Sequence, residues 1–253
     1  MECNNTEFYI EHLAVTDSTN NYIRANRGRL WQVAGDRPVV VYADEQTAGR
    51  GQRGNVWQSH AGENLLVSIM VRPQAMSVSS QFALSQAAAL AVKAAMGYLD
   101  INVVLKWPND IYVGDRKLAG ILVETDSCGA VVDSAIIGIG INVNQTEFPP
   151  MDKVPVSIKM LLGGEHAVGD VLSALLDAFS YYFNMMVQRG DYSAIATEYK
   201  RSLLGYLKPM CYRAGGKEFD AVIKDVESDG RLRLLLGDGT EVLYAFKEVE
   251  VVI

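Results

Sequence analysis

Cysteine is scarce in this 253-residue chain: Cys3, Cys128 and Cys211 are far apart, odd in number and form no CxxC pair. That excludes a disulfide framework and a zinc-finger spacing. The three histidines, His12, His60 and His166, show no ligand spacing either, and no GxSxG elbow occurs. Long apolar runs are missing. The most alanine-rich stretch, 83–96, is interrupted by Gln86 and Lys93, so no membrane partner is expected. The opening MECNNTEFYI lacks a basic segment followed by an apolar one, so no signal peptide is expected and the cytoplasm is the expected location. Positive charge is outnumbered, with 23 Lys and Arg against 30 Asp and Glu, a net −7 and a pI of about 5.0. A DNA-binding face needs clustered cations, so no nucleic-acid partner is expected, although a local basic pocket for a small anion remains open.

What is present is an ordinary globular composition, 49% hydrophobic and 21% charged, without repeats or low-complexity linkers. The pattern predicts a strand over 7–15. Asp17-Ser18-Thr19-Asn20, rich in cap residues, then opens a helix running to about Trp31. Strands are expected at 38–43 and 64–72, and an Ala-rich helix over 78–99. Four more strands follow, near 103–107, 110–113, 118–125 and 132–144. Helices over 168–188 and on to about 204 come next. From Tyr206 the chain changes to short alternating strands with Asp229-Gly230 and Asp238-Gly239 as hairpin turns. The order lacks regular βαβ alternation. An α+β fold with a mixed β-sheet and flanking helices over 1–205 is expected, with a small β-barrel over 206–253.

Three segments carry candidate chemistry. GRGQRGNVW at 49–57 combines three glycines, which let backbone approach a ligand, with two guanidinium forks suited to carboxylate or phosphate. Alone, such a loop is most often a solvated surface turn; closing over an anion, it would exclude water. In KWPND at 106–110, Pro108 ends a strand and presents Lys106, Asn109 and Asp110 near a sheet end. Lys117 leads into the apolar run KLAGILVE at 117–124; alone it reads as an edge charge, and beside other cations as an anion binder. GIGINVN at 138–144 is not a dinucleotide fingerprint, because Val143 stands where the third glycine belongs and the segment lies within a strand.

Together DSTN (17–20), GRGQRGNVW, KWPND, KLAGILVE and GIGINVN, in this order, resemble the biotin–protein ligases. The resemblance is strong over 16–144 and looser beyond. It implies a sheet like that of class II aminoacyl-tRNA synthetases, a C-terminal SH3-like domain, and biotin, ATP and Mg²⁺ as ligands. It implies that Ser18, Thr19, Asn20 and Gln46 bind biotin, with Gly120 and Gly138 beside them. Arg50 and Lys117 are implied on the biotin carboxylate and the phosphate; Gly49, Gly51 and Gly54 are implied to shape the 49–57 loop, with Gly49, Gly51 and Gln52 on its biotin side. Arg53, Asn55, Trp57, Asn109 and Asn142 are implied on the adenylate side, with Asn142 near adenine, and Lys106 and Asp110 at the reacting centre. Gln52 departs from the arginine common in the family, and Arg53 is expected to take over part of the phosphate contact.

The implied activity joins biotin and ATP into biotinyl-5′-adenylate and pyrophosphate, then transfers biotin to a lysine of a biotin carboxyl carrier protein. Arg50, Arg53, Lys106 and Lys117 would stabilise charge, and Asp110 would orient or deprotonate the incoming lysine. Only sixteen residues precede Asp17, too few for the helix-turn-helix of the repressor-type relatives, so a single-function ligase is expected, as monomer or homodimer. The alternatives are a lipoate or octanoate ligase on a related scaffold, and a non-catalytic biotin-binding module.

Overall fold

The computed structural model describes residues 7–150, 153–190 and 192–252; Cys3 lies outside them. β1 (Tyr9–Thr16), α1 (Thr19–Ala34) and β2 (Val39–Gln46) form a parallel crossover unit. β3 (Asn64–Val71), α2 (Phe82–Gly97), β4 (Val104–Lys106), β5 (Asp110–Val113), β6 (Arg116–Cys128) and β7 (Val131–Asn142) follow. They complete a seven-stranded sheet in the order β1-β2-β3-β7-β6-β5-β4, antiparallel beyond the first pair. The mixed sheet is thus as expected.

β3 is buried along its whole length, as its NLLVSIMV sequence requires of a strand covered on both faces. α2 and α4 (Val168–Arg189) pack together on one face. α2 is nearly all buried because its alanines let the sheet and α4 approach it closely, while Leu84, Leu90 and Met96 fill the space between. Truncating one of these to Ala would cost about 2–5 kcal/mol, so this face is closed. On the opposite face α1 covers β1, β2, β3 and part of β7, burying Ile23, Leu30 and Ala34 against Val39, Val41, Met70 and Ile136. Among the described residues no helix packs on that face over β6 and β5, and the cavity described below lies there.

α3 (Ile158–Leu162) is a one-turn helix capped by the Ser157 hydroxyl, which accepts from the Met160 amide. α5 (Ser193–Arg201) leads to the second sheet: β8 (Pro209–Ala214), β9 (Lys217–Val226), β10 (Leu232–Leu236), β11 (Glu241–Tyr244) and β12 (Glu250–Val251). Its order is β11-β10-β9-β8-β12. Gly230 and Gly239, at φ +92° and +86°, make the two expected hairpin turns. Among the described residues the expected small β-barrel does not close: β12 has two residues and pairs with β8, so β11 and β12 are the two edges of an open sheet.

The two sheets share one apolar core. Tyr212, Ile223, Leu232, Leu234 and Val249 pack in continuity with α2 and α4. The Trp107 indole donates to the Gly230 carbonyl at 2.9 Å, and its ring meets Phe246, which also meets Phe82. KWPND is thereby tied to the C-terminal sheet.

Candidate functional site

A cavity of about 540 Å³ crosses the uncovered face, from the start of α1 to the β4–β5 turn. Its first end is a polar corner. Ser18 and Thr19 stand at the α1 N-terminus, where backbone N–H groups lack intrahelical partners. Gln46 Oε1 accepts from the Thr19 amide at 2.8 Å and from its hydroxyl at 3.1 Å. Thr19 Oγ1 meets Ser68 Oγ at 2.7 Å, Ser68 donates to Asn20 Oδ1 at 2.6 Å, and Asn20 Nδ2 donates to Glu124 at 2.8 Å. Each side chain is oriented by the next, which makes a rigid polar wall for a small ligand. Gly138 lies opposite Ser68, and a Cβ there would overlap the Asn20 amide oxygen.

The floor is glycine. Gly120 of β6 pairs with Gly140 of β7, and the Trp57 indole rests on them; a Cβ at Gly140 would stand 2.5 Å from the ring. Trp57 ends a small hairpin made by the 49–57 segment: its amide donates to Gly49 O at 3.0 Å, and Gly51 donates to Asn55 O at 2.7 Å. The buried Trp57 Nε1–H has no acceptor among the described residues. Arg50 points to the polar corner, where Glu124 accepts at 3.0 Å and Asn21 Oδ1 at 2.8 Å. Arg24 shares Glu124 at 2.8 Å. Burial raises the Glu124 carboxyl, but the Asn20 hydrogen bond and the two guanidinium groups outweigh it and hold the group below its ordinary value.

The far end is cationic. Asp110, 6% exposed, holds Lys117 Nζ on one oxygen at 2.7 Å and Lys153 Nζ on the other at 2.9 Å. Burial pushes its carboxyl up, yet the two ammonium groups win and keep it below the usual carboxylate range. An anion engaged on both oxygens by ammonium groups is a weak proton acceptor. Lys106 stands over the Tyr112 ring at 5.1 Å with no carboxylate pair among the described residues. Burial, then the neighbouring Lys153 charge, lower its pKa to about 8 against the pull of Asp110 and Glu250. Arg213, Lys247 and Glu250 close the cavity from the second sheet, beside the Gly215-Gly216 turn.

Residues 12–142 match the model of the biotin/lipoate A/B protein ligase family, just over half of the chain. The chain belongs to that family. A biotin--[acetyl-CoA-carboxylase] ligase of Paracoccus denitrificans is 30% identical over 92% of this chain and 97% of its own length. Bifunctional ligase/repressor proteins of Bacillus spizizenii and Bacillus subtilis are 31% identical over 82% of this chain, which spans only 64% of their length. The fold resembles that of a biotin protein ligase from Aquifex aeolicus in complex with biotin and ATP, with a TM-score of 0.77 at 24% identity over 96% of this chain and 98% of the other.

The family motifs converge on the cavity. Ser18, Thr19, Asn20, Gln46, Arg50, Gly51, Gln52, Asn55, Trp57, Lys106, Asn109, Asp110, Lys117, Gly120 and Gly138 all line it. Gly49 and Gly54 lie behind the hairpin, on a smaller depression shared with Glu124. The side chain of Arg53 lies outside the described residues. Asn142 is away from the cavity wall: buried, it donates to the Val156 carbonyl at 3.0 Å and clamps the backbone around Lys117. Asn109 also spends its amide on the sheet, donating to Ile121 O at 2.7 Å. Sequence reasoning missed Ser68, Glu124, Lys153, Arg213, Lys247 and Glu250. Ser68 had a signal, as the single hydroxyl inside an otherwise apolar central strand. Lys153 had none, since it sits in an irregular segment far from any motif.

Proposed function

We propose that the protein activates biotin with ATP, forming biotinyl-5′-adenylate and pyrophosphate, and transfers biotin to a lysine of a biotin carboxyl carrier protein in the cytoplasm. One observation carries this reading: a single cavity joins a rigid polar corner, suited to a small heterocycle, to a cluster of cations suited to a carboxylate and a phosphate chain. The names of the relatives above support it. Ser18, Thr19, Asn20 and Gln46 would hold the biotin ring. Lys117 would face the carboxylate where it meets the α-phosphate. Lys106, Arg213 and Lys247 would face the phosphates, and Trp57 with Gly120 and Gly140 would seat the adenylate.

The step needs charge stabilisation more than proton transfer. The carboxylate oxygen attacks the α-phosphorus, and the bond to the bridging oxygen breaks to release pyrophosphate. In the second step the carrier amine, neutral when it attacks, bonds to the acyl carbon, the acyl–oxygen bond to AMP breaks, and the amine's surplus proton passes to water as AMP leaves. Among the described residues no cluster of three or more His, Cys, Asp or Glu is placed for a metal, so Mg²⁺ would enter on phosphate oxygens and water and screen their charge. Residues 206–253 would act as an SH3-like domain that roofs the site laid out on residues 1–205. No described helix is long and apolar enough to cross a membrane.

ATP–pyrophosphate exchange with biotin, lipoate or octanoate tests the reading. Biotin-dependent exchange, abolished in Lys117→Ala, is the expected result. Exchange with another acid alone would replace biotin as substrate, and no exchange from folded protein would favour a binding module.

A further inference from the structure

In the cavity one buried carboxylate, Asp110, is bonded by two ammonium groups, one on each oxygen. An anionic ligand carboxylate or phosphate at Lys117 would change this balance. A single lysine would then stand between two anions, one of them removed from water, and a buried carboxylate sharing its counter-ion is strongly unfavourable. Lys153 supplies the second positive charge. Its side chain is 46% exposed, and an exposed lysine ordinarily stays in water, yet here it reaches inward to a group that is only 6% exposed. The backbone holds it there. The Lys117 amide donates to Val154 O at 2.8 Å, and the Val156 amide donates to Lys117 O at 2.9 Å. Asn142 fastens the same junction from below. The segment carrying Lys153 is therefore stitched to the residue whose charge it complements.

We propose that Lys153 is a positioning residue that keeps Asp110 charge-compensated while Lys117 turns to the anionic group of the acid substrate. The proposal rests on the reading of the site as an acid-activating ligase. The other groups facing Asp110 do not replace Lys153. Lys106 of β4 is bonded to neither Asp110 oxygen, and Tyr112 of β5 and Tyr199 of α5 are neutral, their hydroxyls pushed up by burial. Glu250 of β12 acts on Lys106 and adds no positive charge.

Calorimetric titration of biotin, with unfolding midpoints measured in parallel, tests this in wild type, Lys153→Met, Lys153→Arg, Asp110→Asn and the Asp110→Asn/Lys153→Met double variant. Lys153→Met is expected to weaken biotin binding roughly tenfold, the scale of one charge-assisted hydrogen bond, while lowering the unfolding midpoint only slightly, because Lys117 still pairs with Asp110 when no biotin is bound. Lys153→Arg is expected to restore binding. With Asp110 neutralised the second cation is not needed, so Lys153→Met should then change affinity by less than about twofold. The acid limb of biotin-dependent exchange should also move to higher pH in Lys153→Met, because Asp110 loses a cation that keeps it ionised. Unchanged affinity in Lys153→Met, or a loss confined to the unfolding midpoint, would overturn the proposal. So would an equal loss in the Asp110→Asn background, which would place Lys153 directly on the ligand. Wild-type protein that binds no biotin would instead sink the ligase reading.

Discussion

Burial brings the charge change of Lys106 close to neutrality. With its pKa drawn to about 8 by burial and then by Lys153, it is a cation at pH 7 and becomes neutral as pH rises through that value. If it faces the phosphates, the apparent KM for ATP should climb above pH 8, by roughly tenfold at pH 9, where about nine in ten copies are neutral. Lys106→Arg should hold KM flat over that range, because a guanidinium stays charged. The same climb in the arginine variant would remove Lys106 from phosphate binding. Residues inside the motifs were legible because their types and order together are specific. Lys153, outside every motif, and Glu124, the last residue of KLAGILVE, were less so. What makes them matter is a partner 43 residues away for Lys153, Asp110, and 74 residues away for Glu124, Arg50. Asn142 was legible as a candidate, and in the structure its amide is spent on the backbone. A polar side chain at the end of a strand looks like a ligand contact until the neighbouring backbone is seen to need a donor.

The 49–57 hairpin and the β6–β7 glycine floor form one device, because the ring at the end of the hairpin needs the missing side chains of the strands. Gly140→Val should force the Trp57 indole off its seat. Since the ring moves into an open cavity, the unfolding free energy should change by less than about 1 kcal/mol, while the KM for ATP rises at least roughly tenfold. Steady-state kinetics beside a urea titration separate the two, and unchanged ATP kinetics would show that the seat is dispensable. The elements themselves follow from pattern. α4, the mixed sheet and both Asp-Gly turns fall where periodicity and turn chemistry put them. α3 escaped because five residues carry too little period to register. The 78–80 stretch is a 3-10 turn and not the first turn of α2, since Gln81 and Ser80 separate the capped Ser77 from the apolar face.

For the whole molecule, the boundary near residue 205 divides the sheets without dividing the core. Removing residues 206–253 would strip Tyr212, Ile223 and Leu234 from the apolar cluster and Arg213, Lys247 and Glu250 from the cavity. The remaining 1–205 fragment should unfold with a broadened, lower urea transition and bind the dye ANS, as a loosely packed state does. A sharp transition at the wild-type midpoint would mean that the catalytic part stands alone. The change in chain character at Tyr206 predicted a second sheet. The openness of that sheet could not be read in advance, since it depends on two residues of β12 reaching β8 and not β11. Nor was its share in the cavity legible: the Trp107–Gly230 bond joins residues 123 positions apart, and that clasp brings the roof over the floor.

On the proposed function, the Arg50–Glu124 pair would govern how long a ligand stays enclosed. The hairpin is pinned at Glu124 by a guanidinium whose side chain is 39% exposed, so dissolved ions compete for it, and at physiological ionic strength screening acts over about 8 Å. The time a ligand stays enclosed is then a property of the medium as well as of the protein. Dilute buffer would keep the hairpin shut and the reactive intermediate sheltered, whereas concentrated salt would let both exchange with the surroundings more often.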